Sequence, residues 1–310
     1  MIDFFSPDYH SARARFQSGV LANGGQVESI RLDALGPGGE DLTVDIGCFG
    51  CPEPQRAFIH TCGLHGVEGF AGSAIQLQWL EQGRPMLPSD GAIIIAHVMN
   101  PYGMAWLRRV NENNVDLDHN FVASEEQFEG ASDSYEALNT FLNPDTPDLF
   151  LPKAVYQVLR HGIPALRRAL SEAQYKYPKG LGFGGSHREQ ITRRFQLYVS
   201  DKLGTAERIV AVDVHTGPAH NSSLGDLYQR MFPTTTVEFR VQHLKSCGLL
   251  RALAVLRNEN RSYHFGDHAS QSKAKSELLE AFCPSGKSWR ERALQEGKAA
   301  IEEGLAQAFA

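Results

Sequence analysis

The sequence predicts an α/β fold: three-layer α/β/α, with a mixed, mostly parallel central sheet. Three observations predict it. Short β-branched or apolar runs alternate with longer stretches of helical periodicity. The run Ile93-Ile94-Ile95 is continuously apolar, as in a strand buried on both faces. The first two strand candidates are joined by Gly36-Pro37-Gly38-Gly39, which reads as a hairpin at a sheet edge and makes the sheet mixed.

The elements follow in order. Pro7 to about Leu21 reads as a helix with an Arg-bearing polar face, and Gln26 to Leu32 and Leu42 to Phe49 form the hairpin. Arg56 to Thr61 is a strand, and Gly69 to Glu81 is a helix with apolar Phe70, Ala74, Leu77 and Leu80. Gly91 to Met99 is the buried strand, and the polar, Asn-rich stretch Asn100 to Phe121 is expected as an exposed loop. Ser134 to Leu142 and Leu151 to about Tyr175 read as helices, with Pro164 kinking or splitting the second. A glycine-rich loop spans Tyr177 to Ser186, and Glu189 to Lys202 looks helical. Arg208 to His215 and Thr234 to Val241 are β-branched strands, and from Leu249 the chain is mostly helical, with breaks near Tyr263 to His268 and at Pro284.

The 310 residues show no internal repeat or low-complexity linker, so one catalytic domain over 1–310 is expected. The formal charge is −6 and no basic block is present, which argues against nucleic acid or an anionic membrane as partner. No apolar run approaches the roughly 20 residues that span a bilayer. The N-terminus carries no basic region followed by an apolar one, so no signal peptide is read. Five Cys without framework spacing suit reduced thiols in a cytoplasm. Cys48-Phe49-Gly50-Cys51 has no second C-x-x-C, and the nearby Pro52 and Pro54 make it read as a turn between strands.

His65-Gly66-Val67-Glu68 lies between a strand and a helix, where an imidazole and a carboxylate three residues apart can hold one metal ion. The best third ligand is His215, at the end of Ile209-Val210-Ala211-Val212-Asp213-Val214-His215, because ligand sites of open α/β sheets lie at carboxyl ends of strands. Glu238 sits amid the β-branched run Thr234-Thr235-Thr236-Val237-Glu238-Phe239-Arg240, where a carboxylate is costly unless paired or functional. An ion pair with Arg240 and a general base both remain open for it. A serine-hydrolase elbow is absent, and Gly180 to Gly185 lacks the Lys-Ser/Thr ending of a phosphate-binding loop.

These motifs together resemble the carboxypeptidase A-like zinc metallopeptidases, or funnelins, and most of all an uncharacterised bacterial branch known only as a domain of unknown function. The resemblance is carried by Gly63 to Ser73, by Asn100-Pro101-Tyr102-Gly103-Met104-Ala105-Trp106 with Arg108-Arg109-Val110-Asn111, and by Tyr175 to Gly185. It runs from about Ala57 to Arg240. It implies one zinc ion held by His65, Glu68 and His215, with Glu238 activating the attacking water. Arg109 would steady the oxyanion, Asp116 would orient the first histidine, and Asn111, Asp118 and His119 would contact substrate. The family usually carries Asn-Arg where this chain has Asp118-His119. Arginine grips a terminal carboxylate with a permanent bidentate fork, whereas histidine is a single donor and aspartate repels an anion. A neutral or cationic substrate group is therefore expected at that position. The expected function is hydrolysis of an amide or peptide bond in a small molecule or peptide. The alternative is a non-catalytic or deacylase-like relative that binds metal and a small ligand. Homo-oligomerisation is left open.

Overall fold

The computed structural model describes residues 3–83, 85–124, 127–218 and 222–310. Helix α1 (Tyr9–Ala22) is capped by Asp8, which accepts from Ser11 N at 2.7 Å. It turns Tyr9, Ala12, Phe16 and Val20 inward at helical spacing. The strands are β1 (Gln26–Leu35), β2 (Asp41–Gly50), β3 (Arg56–Cys62), β4 (Gly91–His97), β5 (Arg208–Thr216) and β6 (Thr236–Leu244). Among the described residues they form one sheet in the order β1-β2-β4-β3-β5-β6. β1 and β2 pair antiparallel, as do β2 and β4, while β4, β3, β5 and β6 run parallel. The expected mixed sheet is thus present, with its antiparallel part at the predicted edge.

Adjacent residues of β2 show the layering. A Cβ on Gly47 would meet Val20 and Phe16 of α1, whereas Cys48 points the other way, with Sγ 2.8 Å from Tyr198 OH. Tyr198 belongs to α6 (Gln190–Lys202), so α1 and α6 cover opposite faces. On the α1 side lie α2 (Gly69–Leu80) and α10 (Lys287–Ala308). Cys48 is itself in a strand and not in a turn, because β2 runs on through Gly50.

The remaining helices lie beside the sheet. α3 (Pro101–Ala105) follows β4, and α7 (Leu224–Met231) precedes β6. α4 (Asp133–Leu142), α5 (Phe150–Ser171) and α8 (Leu249–Phe265) share a small separate apolar cluster that includes Tyr135, Phe141, Leu166 and Leu253. α9 (His268–Phe282) packs along α8. α5 breaks at Gly162, which has φ 80°, two residues before the expected Pro164. With ψ at 161°, this extended positive-φ conformation is open essentially to glycine alone, so the break falls there.

The stretch from Asn100 to Phe121 is the main correction to the fold. It was expected on the surface, yet Asn100, Arg108, Asn111, Asn114, Asp116, Asp118 and Asn120 are all buried. Burial is tolerated because most of their polar atoms are bonded internally. Asn100 caps α3 through Gly103 N, Arg108 meets Glu259 at 2.7 Å, and Asn120 reaches the carbonyls of Gly184 and His187.

Candidate metal centre

The chain brings His65, Glu68 and His215 together at the carboxyl end of the parallel strands. β3 ends at Cys62, a short 3-10 turn at Gly66–Glu68 follows, and α2 begins at Gly69. Gly66 N donates to Arg109 O at 2.9 Å and Val67 N to Arg108 O at 3.0 Å, which pins the turn to the Arg108-Arg109 segment. A Cβ on Gly66 would lie 2.0 Å from the Gly103 carbonyl carbon, so only glycine lets the turn approach α3. β5 delivers His215 from the neighbouring strand.

One ligand atom from each of His65, Glu68 and His215 lies within 4.8 Å of the others, and all three side chains are buried. His65 Nδ1 is 3.0 Å from Glu68 Oε1, and His215 Nδ1 is 3.4 Å from Glu68 Oε2. The opposite nitrogens are held by carboxylates: His65 Nε2 donates to Asp116 at 3.0 Å and His215 Nε2 to Asp213 at 2.6 Å. Each imidazole is thus fixed with its Nδ1 toward the centre, the arrangement that metal-binding histidines usually have. Thr216 N donates to Glu68 Oε2 at 2.7 Å and orients the carboxylate.

The charge balance also fits a cation. Glu68, Asp116, Asp118 and Asp213 are each buried to within 1% exposure. The Arg109 guanidinium lies 3.3 Å from Glu68 and 3.2 Å from Asp116. Burial opposes charge on Glu68, but the two imidazoles override it and hold its carboxyl well below the usual range. Burial likewise opposes a proton on His215, yet Asp213 and Glu68 raise it well above the ordinary value. Buried Glu68, Asp116 and Asp213 bonded to the two imidazoles suit protonated imidazoles or a divalent ion, and two Nδ1 atoms with a carboxylate oxygen are a donor set that zinc accepts.

A cavity of about 420 Å³ adjoins the cluster, and Arg109, His119, Thr216 and His243 line it. Arg109 is where the sequence places it, with Nε and Nη1 spent on Asp116 and Glu68. His119 is on the cavity wall, but Asp118 is not among the lining residues. Asp118 is buried and accepts from Ser222 Oγ at 2.8 Å and Ser223 N at 2.9 Å, so it secures the segment after β5. Asn111 also faces inward, donating to Glu189 at 2.9 Å and accepting from Val115 N at 2.8 Å. It shapes the loop that carries Asp116 and does not reach the cavity.

Glu238 does not join the site. It lies near the start of β6, beside Val210 of β5, with its side chain 45% exposed and 2.7 Å from Arg208. The expected strand, Thr234 to Val241, is displaced: the observed one starts at Thr236 and runs on to Leu244. The residue that β6 sets beside His215 is His243, at a ring-centroid distance of 5.9 Å. Sequence reasoning missed both His243 and Asp213. The signal for Asp213 was present, since period 2 puts it on the same strand face as His215. His243 carried no signal before the register was known.

A family model described as a protein of unknown function (DUF2817) matches residues 5–238. The chain belongs to the DUF2817 family. No curated protein matches. Among solved structures it is similar to bovine thrombin-activatable fibrinolysis inhibitor in complex with tick carboxypeptidase inhibitor, at 10% identity over 98% of each chain and a TM-score of 0.47. It is also similar to carboxypeptidase A from Helicoverpa armigera, at 10% identity over 90% of this chain and 75% of that one, with a TM-score of 0.43. Both TM-scores are too low to carry an assignment, and the functional reading of this DUF2817 protein rests on its own cluster and cavity.

Proposed function

We propose that this DUF2817 protein is a zinc-dependent hydrolase of an amide or peptide bond, with one ion held by His65, Glu68 and His215. The observation that carries the reading is the convergence of two Nδ1 atoms and a carboxylate, each imidazole backed by its own aspartate, beside a cavity with a guanidinium on its wall. When bound, zinc supplies Lewis acidity toward a carbonyl and makes a nucleophile available from water near neutral pH. Arg109 retains Nη2 without a protein acceptor among the described residues, and from the cavity wall it can donate to a developing oxyanion. With Glu238 turned to Arg208, we assign proton transfer to His243, an imidazole on the cavity wall beside His215.

The substrate expectation also changes. With Asp118 withdrawn, the wall carries Arg109, His119, Arg167, His243 and Lys245 and, among the described residues, no carboxylate. That polarity favours a substrate with a negatively charged group, and Leu249, Leu256 and Phe282 offer it an apolar surface. The five cysteines are unpaired, which supports a reducing, cytoplasmic compartment. One observation favours the alternative of a relative that binds metal and ligand without turnover, namely the absence of Glu238 from the cluster.

Metal analysis together with a panel of acyl-amino acids and short peptides decides between them. Wild type is expected to hold about one zinc and to hydrolyse at least one member. His243→Gln is expected to lose about 100-fold or more in kcat, and Glu238→Gln to stay within about twofold. Full activity in His243→Gln would sink the assignment of the base. A zinc-loaded protein inert on every substrate would favour the binding reading, and a protein that takes up no metal would overturn both.

A further inference from the structure

Among the described residues, nothing covers the outer face of α5. Before the break at Gly162, Leu151, Val155 and Leu159 recur every fourth residue and are 65%, 57% and 82% exposed, and Ile163, just past the break, is 50% exposed. Leu149 and Tyr156 flank them at 75% and 54%. Large aliphatic side chains this exposed stand proud of the surface and do not line a groove. Scattered surface apolar residues need no explanation, but a contiguous helical stripe of them marks a contact.

Charge indicates what the contact is. The 22 residues of α5 contain Lys153, Arg160, Arg167 and Arg168 and no Asp or Glu, in a chain whose formal charge is −6. Lys153 is neutralised by Asp148 at 2.9 Å, whereas Arg160, and past the break Arg167 and Arg168, have no ion-pair partner among the described residues. A second copy of the chain, docked across a two-fold axis, would set cations against cations, because such an interface uses the same face twice. A protruding apolar stripe with Arg160 on the same helical segment and no acid within α5 suits an anionic bilayer surface, into which the aliphatic side chains dip while the guanidinium meets headgroups.

We propose that α5 is an interfacial helix that docks this protein on anionic lipid surfaces. The sequence lacks a basic block, which argued against such a partner, but folding gathers residues four apart into one face. No helix among the described residues is long and apolar enough to cross a membrane, so the contact is peripheral. The same helix supplies Arg167, Leu170 and Ser171 to the cavity wall, so the docked element and the candidate site are continuous. The inference does not depend on the proposed chemistry.

Co-sedimentation with vesicles tests it, using phosphatidylcholine alone and phosphatidylcholine with phosphatidylglycerol. The full chain is expected to bind the anionic vesicles at least tenfold more tightly, with the preference falling as salt rises. Leu159→Gln with Ile163→Gln, both at exposed positions, is expected to abolish binding, and Arg160→Gln with Arg168→Gln to weaken it about tenfold. Melting temperatures check that the variants fold, and a Leu159→Trp probe is expected to shift its emission to the blue on binding. No binding to either vesicle, or equal binding to both, overturns the proposal. So does a stable dimer that Leu159→Gln dissociates, since the stripe would then belong to a second copy.

Discussion

Replacing Asp213 with Asn isolates what the chain itself contributes to the proposed metal centre. Asp213 is fully buried and accepts from His215 Nε2 at 2.6 Å, Thr61 Oγ1 at 2.7 Å and Ser222 Oγ at 3.3 Å. An amide of the same shape offers one acceptor oxygen in place of two, so a donor is left facing an NH2 group. The negative charge that would make His215 a stronger ligand is lost as well. Supporting groups of this kind are worth about 10- to 100-fold in metal affinity, or about 1.4 to 2.7 kcal/mol. The upper end is expected here, because the bond to His215 is short and solvent cannot screen a fully buried carboxylate. The assay is zinc competition against a chromophoric chelator at fixed pH, with thermal melts of the metal-free proteins to register any loss of fold. Asp116→Asn acts through the other imidazole, so the double variant is expected to bind more weakly than either single one. A folded Asp213→Asn protein whose zinc affinity stays within about threefold of wild type would refute the assignment of Asp213 as the support of His215.

The remaining expectations concern the frame around the site. Arg108 is fully buried, donates to Glu259 at 2.7 Å and sits 3.4 Å above the Tyr263 ring; Glu259→Gln leaves that guanidinium without its counter-charge and is expected to cost about 3 to 5 kcal/mol in denaturant titrations. Gly66→Ala puts a methyl 2.0 Å from the Gly103 carbonyl carbon, so it is expected to lose at least about 2 kcal/mol of stability and to weaken zinc uptake, and an unchanged melting temperature would contradict the packing of the turn. Burial lowers His60 from 6.5 to about 4, so the unfolded chain takes up the proton first as pH falls. The stability from keeping it neutral is complete above about pH 6.5 and declines toward pH 4, by about 2 kcal/mol at pH 5, and His60→Gln is expected to flatten that slope between pH 7 and 5.

Most of the fold and part of the site were legible in the sequence, for reasons that separate local from non-local information. Ile93-Ile94-Ile95 announced a buried strand because apolar runs and periodicity are properties of the chain itself, and β4 is that strand. His65, Glu68 and His215 were legible because a strand end and a turn put them at the carboxyl end of the parallel strands. Asp116 was legible only through its motif, and it does hold His65. What sequence could not supply was register. A carboxylate in a β-branched run looks functional, but whether it reaches the site depends on how β6 slides along β5. Pairing Val210 with Glu238 and His215 with His243 puts the imidazole at the site and the carboxylate near the opposite end of the strand. The same dependence explains Asp118 and Asn111: a polar loop looks solvated until its partners are known, and Ser223 and Glu189, about 105 and 78 residues further along the chain, are what turn those side chains inward. The two kinds of error have one origin, since a pairing between distant segments leaves no trace in either segment alone. A register marker on β6 is therefore the most informative single measurement for the chemistry. Cysteines introduced at Val214 and Gln242, paired in this register, should cross-link, whereas a strand displaced enough to bring Glu238 to His215 would separate them by several residues.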